Sequence, residues 1–363
     1  AWVNEGILHE SEARTNLVTY SNDFTNSSWT KYRVSIASNV SGVTAPDGSE
    51  TVDKMIPNSS NNEHRVWDGV SSTAVGETYS VYAKSAGYDY VWLGYYEGSV
   101  YGYAVVNLTN GVVTASNTAN YSVEASTNGF YRISVTKTAS GTNPRYISIS
   151  PSPTASPTLN SSNVPYFVGD GTSGIYVYGA QIETGATPSS YIPTSGATVT
   201  RAAETLTVPA ANLPYDSTNM SIQMDGKMTY ADRNLIREVQ FVEWLADANN
   251  GIEQFACSGT GFFPNGAVAF FQEAAATTSL RVTPAATLPF GVNVPFSISS
   301  RHGSTFINGA VGGTALTADT APTALPNLSS TNLNLGQAFM GTIGQFRMWS
   351  DDITDTGITE AST

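Results

Sequence analysis

The sequence predicts an all-β protein made of two β-sandwich, jelly-roll domains in tandem, and three observations carry that prediction. Apolar residues alternate with polar ones over short runs bounded by Gly, Asn, Pro and Ser. No segment keeps a helical period beyond two turns, and 363 residues exceed what one hydrophobic core usually serves.

In the first half, strands are read at Tyr79-Ser-Val-Tyr-Ala-Lys84, Tyr90-Val-Trp-Leu-Gly-Tyr-Tyr96, Gly102-Tyr-Ala-Val-Val-Asn-Leu108, Gly129-Phe-Tyr-Arg-Ile-Ser-Val-Thr136 and Ile175-Tyr-Val-Tyr-Gly-Ala-Gln-Ile-Glu183. Their spacing and turn residues suit a sandwich. Pro151-Ser-Pro-Thr-Ala-Ser-Pro157 carries three prolines, which argues for an extended surface loop rather than a strand. Breakers and small polar residues fill positions 184–196, and a strand pattern restarts at Thr198, so the domains are taken as 1–200 and 201–363. Beyond the boundary, strands are read at Met220-Ser-Ile-Gln-Met-Asp-Gly-Lys-Met228, Val239-Gln-Phe-Val-Glu-Trp-Leu245, Ala267-Val-Ala-Phe-Phe271 and Phe296-Ser-Ile-Ser-Ser300. The run Asn334-Leu-Gly-Gln-Ala-Phe-Met-Gly341-Thr-Ile-Gly-Gln-Phe-Arg-Met-Trp349 reads as two closing strands joined by a turn.

Composition narrows the partners. Charged residues are 12% of the chain, against 32 Gly and 19 Tyr and many Ser, Thr and Asn, which is an extracellular or virion style of surface. A net charge of −13 repels phosphate backbones and argues against nucleic acid. No stretch approaches the roughly 20 apolar residues of a membrane helix, so no membrane insertion is expected. Cys257 is the only cysteine and reads as a small buried apolar residue, leaving stability to packing. The first residues lack a signal-peptide pattern, and the missing initiator Met points to processing or to excision from a longer chain.

Two resemblances follow from particular residues. The run 334–349, with Phe306-Ile-Asn-Gly309 as an exposed hairpin tip, resembles the end of laminin-G-like and concanavalin-like sandwiches. In the first domain the matching residues, in order, are Ala13-Arg-Thr-Asn-Leu-Val-Thr-Tyr-Ser-Asn-Asp-Phe24, Trp29, Ala45-Pro-Asp-Gly-Ser-Glu-Thr-Val-Asp-Lys-Met55, Tyr79–Lys84, Asn128-Gly-Phe-Tyr-Arg132, Gly179-Ala-Gln-Ile-Glu-Thr-Gly185 and Ser190-Tyr-Ile-Pro-Thr194. Together they resemble the carbohydrate-binding-module-like jelly roll of bacteriophage tail and virion-surface proteins. That resemblance implies adhesion: a tail-fibre, spike or head-decoration component at the virion surface, outside the cell, among other virion proteins. It would attach to a host surface glycan as a homo-oligomer, with a trimer the form considered. Trp29 reads as a core anchor. A polysaccharide depolymerase and a purely structural virion protein are the competing classes.

A sugar site would have to come from aromatics, because pyranose rings present apolar C–H faces that pack on Trp and Tyr planes. Alternation places Val91 and Leu93 toward the core and Trp92 with Tyr96 outward, with Gly94 leaving a shallow trough between them. Tyr101 and Tyr103 in the adjoining strand, and Trp67 in a polar loop, extend that platform. The jelly-roll resemblance also implies a structural calcium, for which Asp23 and Glu183 would supply oxygens with Gln181 as neutral helper. His9, His64 and His302 are isolated in sequence, so no zinc-type arrangement is expected.

Catalysis has one foothold in the second half. Glu238-Val-Gln-Phe-Val-Glu243 is similar to the Glu-x-Asp-x-x-Glu strand of laminarinase-type hydrolases, in which a bulge brings nucleophile and acid to one face. Gln240 stands where that motif has its central Asp and cannot supply its charge. A lyase reading would pair Arg301 with His302, but adjacent strand residues point to opposite faces, and His302 reads as a loop or strand-end residue. The expectation is therefore of a protein without enzymatic activity.

Overall fold

The computed structural model describes residues 6–70, 76–98, 100–118, 120–137, 145–230, 237–258 and 263–363, without the side chains of Glu97, Val100, Arg237, Glu238 and Ser258. Among the described residues it is all-β, with one α-helix, Thr354–Ala361, at its end. The chain divides into two compact units, Arg14–Arg201 and a unit formed by Ala1–Ala13 with Ala202–Thr363.

The first unit is a sandwich of two six-stranded antiparallel sheets. One runs in the order Val113–Ser116, Val100–Asn107, Tyr90–Glu97, Arg145–Ser152, Arg65–Val70, Thr30–Tyr32. The other runs Tyr121–Ala125, Tyr131–Lys137, Glu77–Ala86, Gly174–Thr184, Asp53–Pro57, Val34–Ala37. Every second residue of the central strands enters the shared core, including Val81, Val91, Leu93, Ile133, Ile147, Ile149, Ile175 and Val177, all fully buried. Trp29 belongs to that core, with its indole N–H donating to the Tyr20 carbonyl at 2.8 Å.

The second unit is also a pair of six-stranded sheets: Ile7–Glu10, Met340–Trp349, Asn219–Tyr230, Gly291–Gly303, Ile307–Val311, Thr314–Ala315 against Leu206–Val208, Leu333–Leu335, Arg237–Asp247, Asn250–Ser258, Val268–Ala274, Thr277–Val282. Whereas the sequence places residues 1–200 in one module, Ile7–Glu10 pairs with Met340–Trp349, in register from Ile7 opposite Ile343 to Glu10 opposite Met340. His9 Nε2 lies 3.0 Å from the Gly336 carbonyl, and the Ser11 hydroxyl donates to Phe339 O at 2.9 Å. The first sandwich is thus an insertion in the second. A four-residue strand carries too short a pattern to say which distant edge it will complete.

Three further sequence readings are corrected. Leu333–Leu335 and Met340–Trp349 are strands, but they belong to opposite sheets and do not form a hairpin. The expected exposed tip at 306–309 is instead largely the strand Ile307–Val311, buried along its length. Pro151 lies within the strand Arg145–Ser152, opposite Val91. It is tolerated because pairing on the other side of that strand ends at Ile149 opposite Val66, so the missing N–H breaks no ladder bond there.

Candidate functional site

The aromatic candidates of the first sandwich do share one surface, the outer face of the sheet containing Tyr90–Glu97. Their positions follow from strand register. Tyr103, Gly94, Ser148, Trp67 and Thr30 stand directly opposite one another across five strands. In neighbouring rows Tyr101 opposes Tyr96, Tyr146 opposes Gly69, and Trp92 lies between Val105 and Ser150. Opposed residues in antiparallel strands lie close enough for aromatic rings to touch, and they do. Ring centroids are 5.3 Å apart for Tyr96 and Tyr101, 5.6 Å for Tyr96 and Tyr146, 5.9 Å for Trp92 and Tyr103, and 6.4 Å for Tyr32 and Trp67.

Alternation is therefore right, but outward does not mean exposed. Trp92 is fully buried and Tyr101 retains 4% exposure, packed with Val105 and Val164. The covering comes from residues 158–166. Tyr101 N–H donates to the Ser162 carbonyl at 3.0 Å, Asn163 Nδ2 to the Tyr101 carbonyl at 3.2 Å, and Asn160 holds the turn through Val164 N–H at 3.0 Å. The expected trough at Gly94 is filled by Trp92 itself, whose indole lies over the glycine so that a Cβ there would overlap the ring. Burial leaves the Trp92 indole N–H without a hydrogen-bond partner. The half-exposed members are Trp67, Tyr96 and Tyr103, joined by Tyr32 and Tyr146, which sequence reasoning missed. Trp67 sits in the strand Arg65–Val70 and not in a loop. The signal for Tyr146 was only its alternation with Ile147 and Ile149, on a strand obscured by the proline run that follows.

Two cations stand among these rings: the Arg33 guanidinium lies 5.1 Å from the Tyr32 ring centroid, and Arg65 lies at the centre of the group. The Arg65 guanidinium lies 4.5 Å from the Trp67 ring centroid and 5.1 Å from that of Tyr101, and it donates to the Tyr101 hydroxyl. Its Nε is 3.6 Å from the Glu63 carboxylate, which also accepts from Asn160 Nδ2 at 2.9 Å. Burial raises the Tyr101 phenol above its ordinary pKa, and Arg65 offsets part of that rise; burial alone raises Tyr103. Both phenols stay neutral donors near neutral pH. The face therefore offers flat apolar rings with hydroxyl, amide and guanidinium groups at their edges, chemistry that suits a sugar ring and its hydroxyls.

The residues considered for calcium do not fit an ion. Gln181 Nε2 donates to Glu183 Oε1 at 2.8 Å, Ser189 N–H donates to the same oxygen at 2.9 Å, and Arg14 Nη1 lies 3.6 Å from Glu183 Oε2. A guanidinium thus supplies the positive charge that a cation would bring. Asp23 is exposed and accepts from Thr25 and Asn26 of its own turn. Among the described residues no group of three or more His, Cys, Asp or Glu is placed to hold a metal. The residues behind the jelly-roll resemblance converge here structurally. Asn16 Nδ2 donates to the carbonyls of Ala180 and Ile192, Ile192 N–H donates to Gln181 Oε1, and Ser21 bonds Thr194, so buried side chains clasp the segment 16–21 to the strand Gly174–Thr184 and to residues 192–194.

In the second sandwich, the strand Arg237–Asp247 does contain a register shift between Gln240 and Val242. Glu243 stands opposite Glu253, its carboxylate accepting from Asn334 Nδ2 at 3.1 Å and from Gln337, while Gln240 Nε2 donates to Glu253 at 3.2 Å. The side chain of Glu238 lies outside the described residues. His302 is the penultimate residue of the strand Gly291–Gly303, a strand-end position as expected and not a loop, and is fully buried; Arg301 on the opposite face is paired with Asp352 and Asp355 at 2.8 and 2.7 Å. Cys257 is buried, as its type implies.

No protein-family model matches the chain, and no curated protein matches it. Among solved structures, it is similar to the CBM40 module of Ruminococcus gnavus IT-sialidase, at 13% identity over 44% of this chain and 97% of that one, TM-score 0.33. It is similar to the leech intramolecular trans-sialidase at 17% identity over 40% of this chain, TM-score 0.33, spanning 23% of that enzyme. The binding domain of botulinum neurotoxin serotype D matches at 12% identity over 44% of this chain and 40% of that domain, TM-score 0.33. Overlaps of this extent leave function to be argued from the chain's own residues.

Proposed function

We propose that this chain is a non-enzymatic virion-surface protein, a tail-fibre, spike or head-decoration component, that holds host cell-surface polysaccharide on the aromatic face of its first sandwich. The observation that carries the reading is the placement of half-exposed Trp67, Tyr96, Tyr103 and Tyr146 on one rigid sheet, with Arg65, Glu63 and Asn160 forming a polar edge. Trp92 and Tyr101 support the platform from beneath and do not touch the sugar. Single-site sugar affinity is weak, and an oligomer on the particle compensates by raising the effective concentration of each further contact.

The test is binding of the purified chain to host cells and to a glycan array. Trp67→Ala and Tyr96→Ala are expected to lose the signal while keeping the wild-type circular dichroism spectrum. Retained binding in both variants would refute the platform. One observation favours a second reading, polysaccharide hydrolysis: the register shift that separates Gln240 from Val242 beside Glu243 and Glu253. Release of reducing sugar from host capsule, abolished by Glu243→Gln, would establish that reading in place of simple attachment.

A further inference from the structure

The other sheet of the first sandwich also has an outer face, which carries several of the jelly-roll motif residues but lies apart from the aromatic face around Trp67. Val81, Ala83, Ile133, Val135, Ile175 and Val177 point into the core, so alternation turns their neighbours outward. In one row Arg132 opposes Tyr82, which opposes Tyr178; in the next, Tyr176 stands between Lys84 and Lys54. The two lysines sit two strands apart, about 10 Å at the usual strand spacing. Tyr82, Tyr178 and Tyr191 meet edge to face at 5.5 to 6.1 Å, and the Arg132 guanidinium lies 5.6 Å from the Tyr82 ring.

The cations on this face are held by uncharged groups. Lys84 Nζ donates to the Asn128 carbonyl at 2.9 Å, Lys54 Nζ to the Thr172 carbonyl at 3.0 Å, and Arg132 Nη2 to the Ser80 hydroxyl at 3.3 Å. These are neutral acceptors, which orient a cation without cancelling it, and Arg132 Nε is buried without a hydrogen-bond partner. Carboxylates do border the face: Glu124 opposes Arg132, and Asp47 accepts the Tyr178 hydroxyl at 2.7 Å. In a chain of net charge −13, three cations interleaved with tyrosine rings on one sheet form a local exception.

We propose that this face is a second binding site, for a polysaccharide whose sugars carry carboxylates. Tyr176, Tyr82 and Tyr191 pack on one side against buried Ala45, Val52, Phe130 and Tyr178; the sugar rings would lie on their remaining exposed edges while Lys54, Lys84 and Arg132 pair with the carboxylates. Lysines two strands apart suit charges repeated along an extended chain, and the exposed tyrosine edges suit sugars, which a bare phosphate ligand would not use. The site stands independently of the Trp67 face.

Calorimetric titration of the full chain with oligogalacturonate, with neutral dextran oligomers and with single-stranded DNA of matched charge tests it. Oligogalacturonate is expected to bind and to weaken as salt rises. Lys54→Met and Lys84→Met, which keep the aliphatic stem, should each lower its affinity about tenfold, the equivalent of one lost charge-assisted hydrogen bond. Trp67→Ala should leave it unchanged. The proposal is overturned if oligogalacturonate does not bind, if the lysine variants bind it as well as wild type, or if the DNA binds as tightly. Loss in Trp67→Ala with full binding in the lysine variants would also overturn it, by placing acidic sugars on the first face, and would leave the attachment reading standing.

Discussion

Acidification from pH 7.5 to 5 should destabilise the second sandwich through one side chain, the imidazole of His302. It lies fully buried between the two sheets. Its Nε2 is 2.8 Å from the Ser300 hydroxyl and its Nδ1 3.3 Å from Gln272 Oε1; Gln254 Nε2 reaches the same serine at 2.5 Å. Ser300 and Gln272 are both neutral and supply no counter-charge, and desolvation pushes the imidazole pKa from 6.5 down to about 3. Because the folded value is the lower one, the native state favours the neutral ring. That contribution is complete above pH 6.5 and declines as pH falls toward 3, where the folded protein would itself take up the proton. At pH 5 the unfolded chain gains about 1.5 pK units of protonation free energy, roughly 2 kcal/mol at 1.36 kcal/mol per unit. Urea unfolding at both pH values, with amide exchange of the strand Gly291–Gly303 as local readout, measures the effect. Wild type should lose about 2 kcal/mol more than His302→Gln, which cannot titrate, so the difference isolates this group from the acids that also protonate. An equal loss in the two proteins would show that the imidazole is solvated or that its proton finds an acceptor.

Other substitutions separate support from contact. Trp92→Ala should cost about 3–5 kcal/mol of stability in thermal or urea unfolding, as expected for a large aromatic removed from a packed site, whereas half-exposed Trp67→Ala should cost far less. Gly94→Ala should lower stability by about 1–3 kcal/mol, because the new methyl displaces the Trp92 ring. Glu77 and Arg145 form a fully buried ion pair at 2.8 Å, with the Tyr79 hydroxyl also donating to Glu77; Glu77→Gln should cost about 3–5 kcal/mol by removing the carboxylate from a buried pair. Chelation by EDTA should leave the melting temperature unchanged, since Arg14 already neutralises Glu183; a clear drop would reveal a cation that the arrangement does not predict.

The period-two pattern of Tyr90–Glu97 was legible because strand geometry assigns faces from sequence alone, and Val91 and Leu93 enter the core as that rule requires. The exposure of Trp92 was not legible. It depends on a segment some seventy residues later folding back over the ring, and nothing local to Trp92 records that. His302 shows the same limit: alternation separates it from Arg301, but its burial depends on Gln272 and Gln254 from the facing sheet. Gln181 and Glu183 lie two residues apart in one strand, yet their task was decided by Arg14 from the other end of the sandwich.

By itself, the sequence determined that this protein is all-β, that it carries two sandwich cores, and which residues of its central strands face them, because those properties follow from short-range alternation and turn chemistry. Only the tertiary structure decided that the first sandwich interrupts the second, which rings remain open to a ligand, and where three cations gather around tyrosines. Each of those outcomes is a pairing between distant segments, and backbone hydrogen bonding between strands is nearly blind to which segments pair.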